Sequence, residues 1–328
     1  MPQNNVKELM VTGPLQNVSV AYKNSSYIGD RVFRILDGVD PKAKIAVYSK
    51  GAWFRNDAGI RGPGAVAKRS GYPVSWVSIS TEEYAFASEV TDEDRRFAKS
   101  KNAPPLQPDI DAIEFASDKI DLSKEARIAA MITSGTWADG NAGGEDAEGL
   151  WSPAGATNTF LDDISKGRKA IQSVSGVKPN CLLLDFATYE ALKQCAAILD
   201  KIKYTQRGVL TAELLAALLD LEEVLVGEAI VNTAKETKAG TEFTSKYIWE
   251  VNAGKGMGFL FHRPKSPGRK VPAPGYQARV AYEGGAVRRT TTWREPAAHQ
   301  DVYEVAEETD FVLVDAALGY LWKDTYAT

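Results

Sequence analysis

Two stretches of this 328-residue chain, and its few histidines and cysteines, have residue types that could do chemistry. Gly254-Lys-Gly256-Met-Gly258 has the glycines of a dinucleotide loop. Such a loop needs a helix opening straight after it, so that the helix N-terminus can hold a pyrophosphate. Phe259-Leu-Phe261 follows instead and continues as strand, so the glycines read as a hairpin turn. Lys255 also lacks a Ser or Thr at P-loop spacing. Asp139-x-Asn141-x-Gly143 opens like a calcium loop, yet the position of its closing bidentate Glu is Leu150. The stretch reads as a solvated acidic loop. The two histidines, His262 and His299, stand in no HxxxH pattern and beside no patterned Ser or Cys. A triad or a zinc site is hard to build from them. Cys181 and Cys195 sit in apolar surroundings and form no CxxC pair, so they read as buried small hydrophobes. The 43 acidic residues leave many distant carboxylate pairs open, and no spacing favours one of them. The inventory yields no catalytic residue, no cofactor and no metal.

Charge is more informative than any motif. From Lys50 to Trp76 five bases (Lys50, Arg55, Arg61, Lys68, Arg69) face one acid, Asp57, for a local charge of +4. From Asp109 to Arg127 six acids, among them Asp109, Asp111, Glu114 and Asp118, face three bases, for −3. One reading is two solvated faces. The sharper one is that the basic segment of one copy lies across the acidic segment of the next. Charge would then set register, while Trp53, Phe54 and Trp76 supply affinity. Reversing Arg61 and Lys68 should block such an assembly without unfolding the subunit.

These residues need elements to hold them. Ile45-Ala-Val-Tyr and Val74-Ser-Trp-Val-Ser-Ile read as two strands joined by a Gly-rich excursion too long for a compact domain unless it reaches outside it. Asp109 to about Ser134 has 3–4 spacing and reads as a long helix, with a weak spot at Asp121-Leu-Ser where the period shifts phase and the helix can kink. Residues 138–158 are Gly- and acid-rich and read as a surface loop. Thr159 opens a helix in a capping box with Asp162. Asn180–Phe186 is a buried strand, and Asp185 and Thr211 cap the helices that follow. Residues 160–263 thus form an α/β unit with its own core. A basic Pro-rich loop, Arg263 to Gly275, leads to late strands. Residues 1–43 read as an extended arm that borrows burial from elsewhere.

The bulk numbers are those of an ordinary soluble globular protein rather than of a nucleic-acid wrapper. Hydrophobic content is 44% and net charge −4, so a global positive field is absent. The N-terminus has no apolar signal region, and no apolar run reaches membrane-spanning length, so a reducing cytoplasm and no membrane partner are expected.

Beside this reading stands a resemblance. Tyr27–Phe33, Val47–Arg55, Arg61-Gly-Pro-Gly64, Gly71–Ser75, Glu83–Phe86, Pro105–Ala112, Lys178-Pro-Asn180 and Ile202–Thr211, in this order, resemble a tailed-bacteriophage major capsid protein of the Hong Kong 97 type. The resemblance implies an α+β capsid fold: an N-terminal arm (1–43), an extended β-hairpin loop (44–82), a peripheral domain (83–158) with a long spine helix, an axial α/β domain (159–263), and late peripheral strands (264–328). It implies self-assembly into hexamers and pentamers of an icosahedral shell, made in the host bacterial cytoplasm, around double-stranded DNA that is held non-specifically. A separate scaffold is expected, because the arm begins almost at once. A portal and a decoration or cement protein are the other expected partners. The rival readings are a nanocompartment shell of the same fold and a soluble α/β enzyme.

Overall fold

Two apolar runs, Cys181-Leu-Leu-Leu-Asp185 and Met257-Gly-Phe-Leu-Phe261, are buried along their whole length and pair antiparallel. Continuous apolar strands of this kind need cover on both faces. The computed structural model describes residues 23–24, 26–100, 106–147, 151, 158–202, 210–235, 242–252 and 254–326. In chain order its elements are α1 (Gly29–Val32), β1 (Arg34–Asp37), β2 (Lys42–Tyr48), α2 (Lys50–Trp53), β3 (Val74–Ser80), β4 (Glu82–Thr91), α3 (Asp92–Ala98), α4 (Pro108–Ser134) and β5 (Glu145–Asp146). There follow α5 (Phe160–Ser175), β6 (Cys181–Asp185), α6 (Phe186–Lys193), α7 (Ala196–Ile202), α8 (Ala212–Leu218), β7 (Glu223–Gly227), β8 (Ile230–Asn232), β9 (Ser245–Tyr247) and β10 (Met257–Phe261). The chain closes with β11 (Gly275–Arg279), β12 (Arg288–Glu295), β13 (Gln300–Leu313) and β14 (Gly319–Lys323).

One sheet has the order β5-β14-β10-β6-β7. Alternate side chains enter two separate cores, as the period of two requires. Leu182, Leu184, Leu260, Tyr320 and Trp322 join α5 to α8 on one face. Cys181, Leu183, Phe259, Phe261 and Leu321 join Ile28, Val32, Phe33 and the C-terminal half of α4 on the other. Backbones approach closely where glycine allows it: a Cβ on Gly167 would stand 2.4 Å from the Trp322 ring, and one on Gly258 2.5 Å from that of Trp151.

The second sheet is built on the long strand β13. β4 and β12 flank it on opposite sides, and β11 continues its β12 side, with β1 parallel to β11. The N-terminal half of α4 covers this sheet through Ala116 and Ile120 against Val305. Helix α4 therefore spans both units. It runs without a break for 27 residues, so the phase shift at Asp121-Leu-Ser is not a kink. The shift arises because the helix changes partners there: Asp121 turns to Arg288, Lys124 to Asp30, and Glu125 enters the second core. Glu125 accepts hydrogen bonds from the Ile28 and Gly29 backbone N–H groups at 3.0 and 2.6 Å and from Trp249 Nε1 at 2.6 Å. It ties the start of the chain's described part to the long helix and to the first sheet.

Other expectations need correction. β14 lies in the first sheet, beside β10, and not with the late strands of 264–328. Four of its five residues are buried, so no alternation marks it in sequence, and pairing with a distant strand decides its place. The described part of 138–158 is not only surface: β5 pairs with β14, and Trp151 is fully buried, donating to Asp163 at 2.7 Å. Thr159 does not close a capping box with Asp162, since its hydroxyl donates to Asp163 at 2.8 Å. Asp185 and Thr211 do cap α6 and α8, accepting from Thr188 and Leu214 backbone N–H groups. Residues 28–33 borrow their burial from the chain's own body. The resemblance segments at Pro105 and through Ile202–Thr211 fall partly outside the described residues.

Candidate intersubunit surface

The basic segment forms a β-hairpin. β2 and β3 pair antiparallel from Lys42 opposite Ser80 to Tyr48 opposite Val74. Beyond them lie α2 and an excursion, exposed almost throughout, that ends at Pro73. Large apolar side chains stand in solvent here: Trp53 is 54%, Phe54 66% and Trp76 62% exposed, and Ile60 is fully so. Arg55, Arg61 and Arg69 are exposed around them. Lys68 is matched within the hairpin by Asp57 at 2.8 Å. The remaining charge is therefore carried by arginines.

The base of the hairpin is held to the body. Tyr48, Trp53 and Tyr72 form a cluster with ring centroids 5.9–6.2 Å apart. The Lys270 ammonium lies over Tyr48 and Trp53 at 5.5 and 5.0 Å, a cation–π arrangement. Lys50 pairs with Asp315 at 2.7 Å, and the Phe54 ring closes over Gly176 at the end of α5. Between these contacts runs an apolar groove of ≈ 1200 Å³, bounded by β2, β3, Ser175 and the loop 267–273. Sequence reasoning noted the basic loop 263–275 but not its role here. Its signal was Lys270 and Val271 among four prolines.

The acidic helix is less free than its sequence suggests. Asp109 accepts from Arg95 at 2.6 Å and from the Tyr303 hydroxyl at 2.8 Å. The Arg95 guanidinium holds its carboxyl below the usual range. Asp118 accepts from the Tyr27 hydroxyl at 3.1 Å and lies 3.8 Å from Lys23. Asp111 and Glu114 remain exposed, and between and beside them stand Ile110 at 52% and Phe115 at 50% exposure. The 3–4 spacing put Ile110 in the core, but it stands in solvent in the first turn of the helix. Of the sequence-chosen residues, Asp111, Glu114, Trp53, Phe54, Arg55, Arg61, Arg69 and Trp76 are exposed, and Asp109 and Asp118 are engaged internally. Within one chain the hairpin and the acidic turns of α4 make no ion pair among the described residues.

The remaining motifs resolve as local structure. Lys255 N–H closes a turn on the Asn252 carbonyl at 3.0 Å, Gly254 has φ +72°, and β10 follows with no helix. Burial holds the Asp139 carboxyl above the usual range, and no group of three metal-ligating side chains converges among the described residues. His262 Nδ1 lies 2.9 Å from the Lys178 carbonyl, and His299 sits in a turn with φ +51°. Both cysteines are free and buried, and burial pushes the Cys181 thiol up to about 11. No described helix is long and apolar enough to cross a membrane.

Comparison with known proteins adds an independent line. No protein-family profile matches the chain. A protein named major capsid protein, from Burkholderia phage BcepMu, is 24% identical over 251 residues, covering 75% of this chain and 76% of that one. A phage-related protein of Bordetella bronchiseptica superimposes with a TM-score of 0.65 at 21% identity, over 93% of this chain and 94% of that one. The capsid of cyanophage P-SCSP1u superimposes with a TM-score of 0.60 at 10% identity, over 99% and 95%. Coverage is near-complete in both directions for both structures. The chain has the Hong Kong 97-type capsid fold.

Proposed function

We propose that this chain is the major capsid protein of a tailed phage and that many copies close an icosahedral shell, as hexamers and pentamers, around double-stranded DNA. The observation that carries the reading is the hairpin: a long, basic, aromatic excursion with nothing among the described residues to cover its tip, on a fold shared over 99% of the chain with a phage capsid. The soluble-enzyme reading leaves it without a partner. Burying Trp53, Phe54 and Trp76 against a neighbour would contribute about 1.5–3 kcal/mol each. Many such contacts in a closed assembly multiply a modest pairwise affinity. The role is structural, and no side chain of the candidate surface needs to react.

The parts take the roles that the resemblance implies. The hairpin within 44–82 is the reaching element, α4 the spine, and the sheet-and-helix unit within 159–263 the axial piece. With a net charge of −4, DNA is retained by enclosure rather than by specific grip. A separate scaffold, a portal and a decoration protein complete the expected set, and the working location is the virion. Negative-stain microscopy of the purified chain, with and without the scaffold, tests this directly. Closed shells or rings of five and six are the expected result. Small particles under both conditions would remove the proposal.

A further inference from the structure

The groove at the hairpin base has a chemistry that its own chain does not satisfy. Its walls are apolar, from Tyr48, Trp53, Val271 and their neighbours. Its rim is basic. Lys270 lines it, over Tyr48 and Trp53, and Lys178 and Arg269 stand exposed one residue along the chain from the lining residues Val177 and Gly268; none of the three is in an ion pair among the described residues. The only acid lining the groove among the described residues, Asp315, is taken by Lys50. The groove therefore calls for a segment that is apolar and acidic on one face.

This chain presents such a segment, far from the groove in sequence and joined to another part of the fold. On the first turns of α4, Ile110, Asp111, Glu114 and Phe115 share one helical face by their i, i+1, i+4, i+5 spacing. All four are exposed, and the two acids have no ion-pair partner among the described residues. The stripe continues into a shallow cleft of ≈ 290 Å³ beside Phe115, whose edge carries Glu89 and Asp94. Acid here extends over more than the helix.

We infer that the occupant of the hairpin-base groove is the Ile110–Phe115 stripe of a second copy. Ile110 and Phe115 enter the apolar trough between β2, β3 and the 267–273 loop. Asp111 and Glu114 meet Arg269 and Lys178 on the rim. A volume of ≈ 1200 Å³ holds two such side chains with the helical turn that carries them. The contact is heterologous, groove to helix, so it propagates from copy to copy and closes into a ring when the rotation allows. This inference rests on the shell reading and specifies it. The seat of the neighbour's helix is the base of the hairpin, not its tip, and its selectivity comes from Glu114 and Asp111, not from Asp109 or Asp118.

Cysteine crosslinking tests the contact, because the two native thiols are buried. Val271→Cys combined with Phe115→Cys places one thiol in the groove and one on the stripe. Oxidation of assembled particles should give a ladder of covalent oligomers on a non-reducing gel, and neither single variant should give one. Charge exchange supplies the second arm: Arg269→Glu and Glu114→Arg should each lower particle yield at least tenfold, and the double variant should restore it. Particles that form normally but give no ladder, with no rescue by the double exchange, overturn the inference and leave the shell reading intact. An unaltered chain that forms no particles under any condition removes the shell reading and this inference with it.

Discussion

Glu125 shows how one side chain can lock three parts of a fold. It has no solvent, and its carboxyl takes three N–H donors from the 28–29 turn and Trp249. Glu125→Ala leaves these donors buried and unpaired, so we expect a loss of about 3 kcal/mol, read as a lower denaturant midpoint. Burial raises this carboxyl, with the backbone donors opposing. A raised folded-state value means that its contribution is full below the ordinary carboxylate range and falls as pH rises through the folded value. Asp109 has the opposite sign: hydrogen bonding to Arg95 lowers it. Its contribution is present above the unfolded value and is lost as pH falls through the folded one. Asp109→Asn should therefore flatten the acid limb of a Tm-against-pH profile, while Tm near neutral pH drops. Neither assignment was legible in sequence. Glu125 looked like one more acid on a polar helix, and its donors lie about a hundred residues away in either direction.

Elements were more legible than contacts. The strands that flank the hairpin, the caps at Asp185 and Thr211, and the buried strand at Cys181 follow from local pattern, and local pattern is where propensity acts. β14 was not separated from the late strands of 264–328, because the last strand was read only to Leu318 and sheet membership is decided by non-local pairing. The hairpin's charge was legible, but the match of Lys68 to Asp57 was not. Reversal at Arg61 and Arg69 is therefore the cleaner test than at Arg61 and Lys68. The tip makes a contact of its own, apart from the groove at the base, and we expect Arg61→Glu with Arg69→Glu to abolish particles while the far-ultraviolet circular dichroism and Tm of the subunit stay unchanged. Close packing gives an element-scale prediction too. Gly167→Ala drives a methyl group into Trp322 and should cost about 1–3 kcal/mol, measured by urea unfolding.

At the scale of the whole molecule, the charge of the hairpin and of the α4 face should appear in assembly thermodynamics. Exposed charges are screened over about 8 Å at physiological ionic strength. If charge sets register, the concentration threshold for particle formation rises as salt increases, as light scattering would record. A threshold that falls with salt would mean that apolar burial alone drives assembly.

The two cysteines occupy opposite faces of one sheet, Cys181 in the core beneath α4 and Cys195 in the core beneath α5 to α8. They are thus a pair of internal clocks, one for each half of the subunit. Each thiol reacts only when its own half opens, so its labelling rate measures that half's opening free energy. If the shell strains one half more than the other, the two rates, equal or unequal in the free subunit, should diverge on assembly. Mass spectrometry of alkylated peptides would then tell which side of the sheet bears the load.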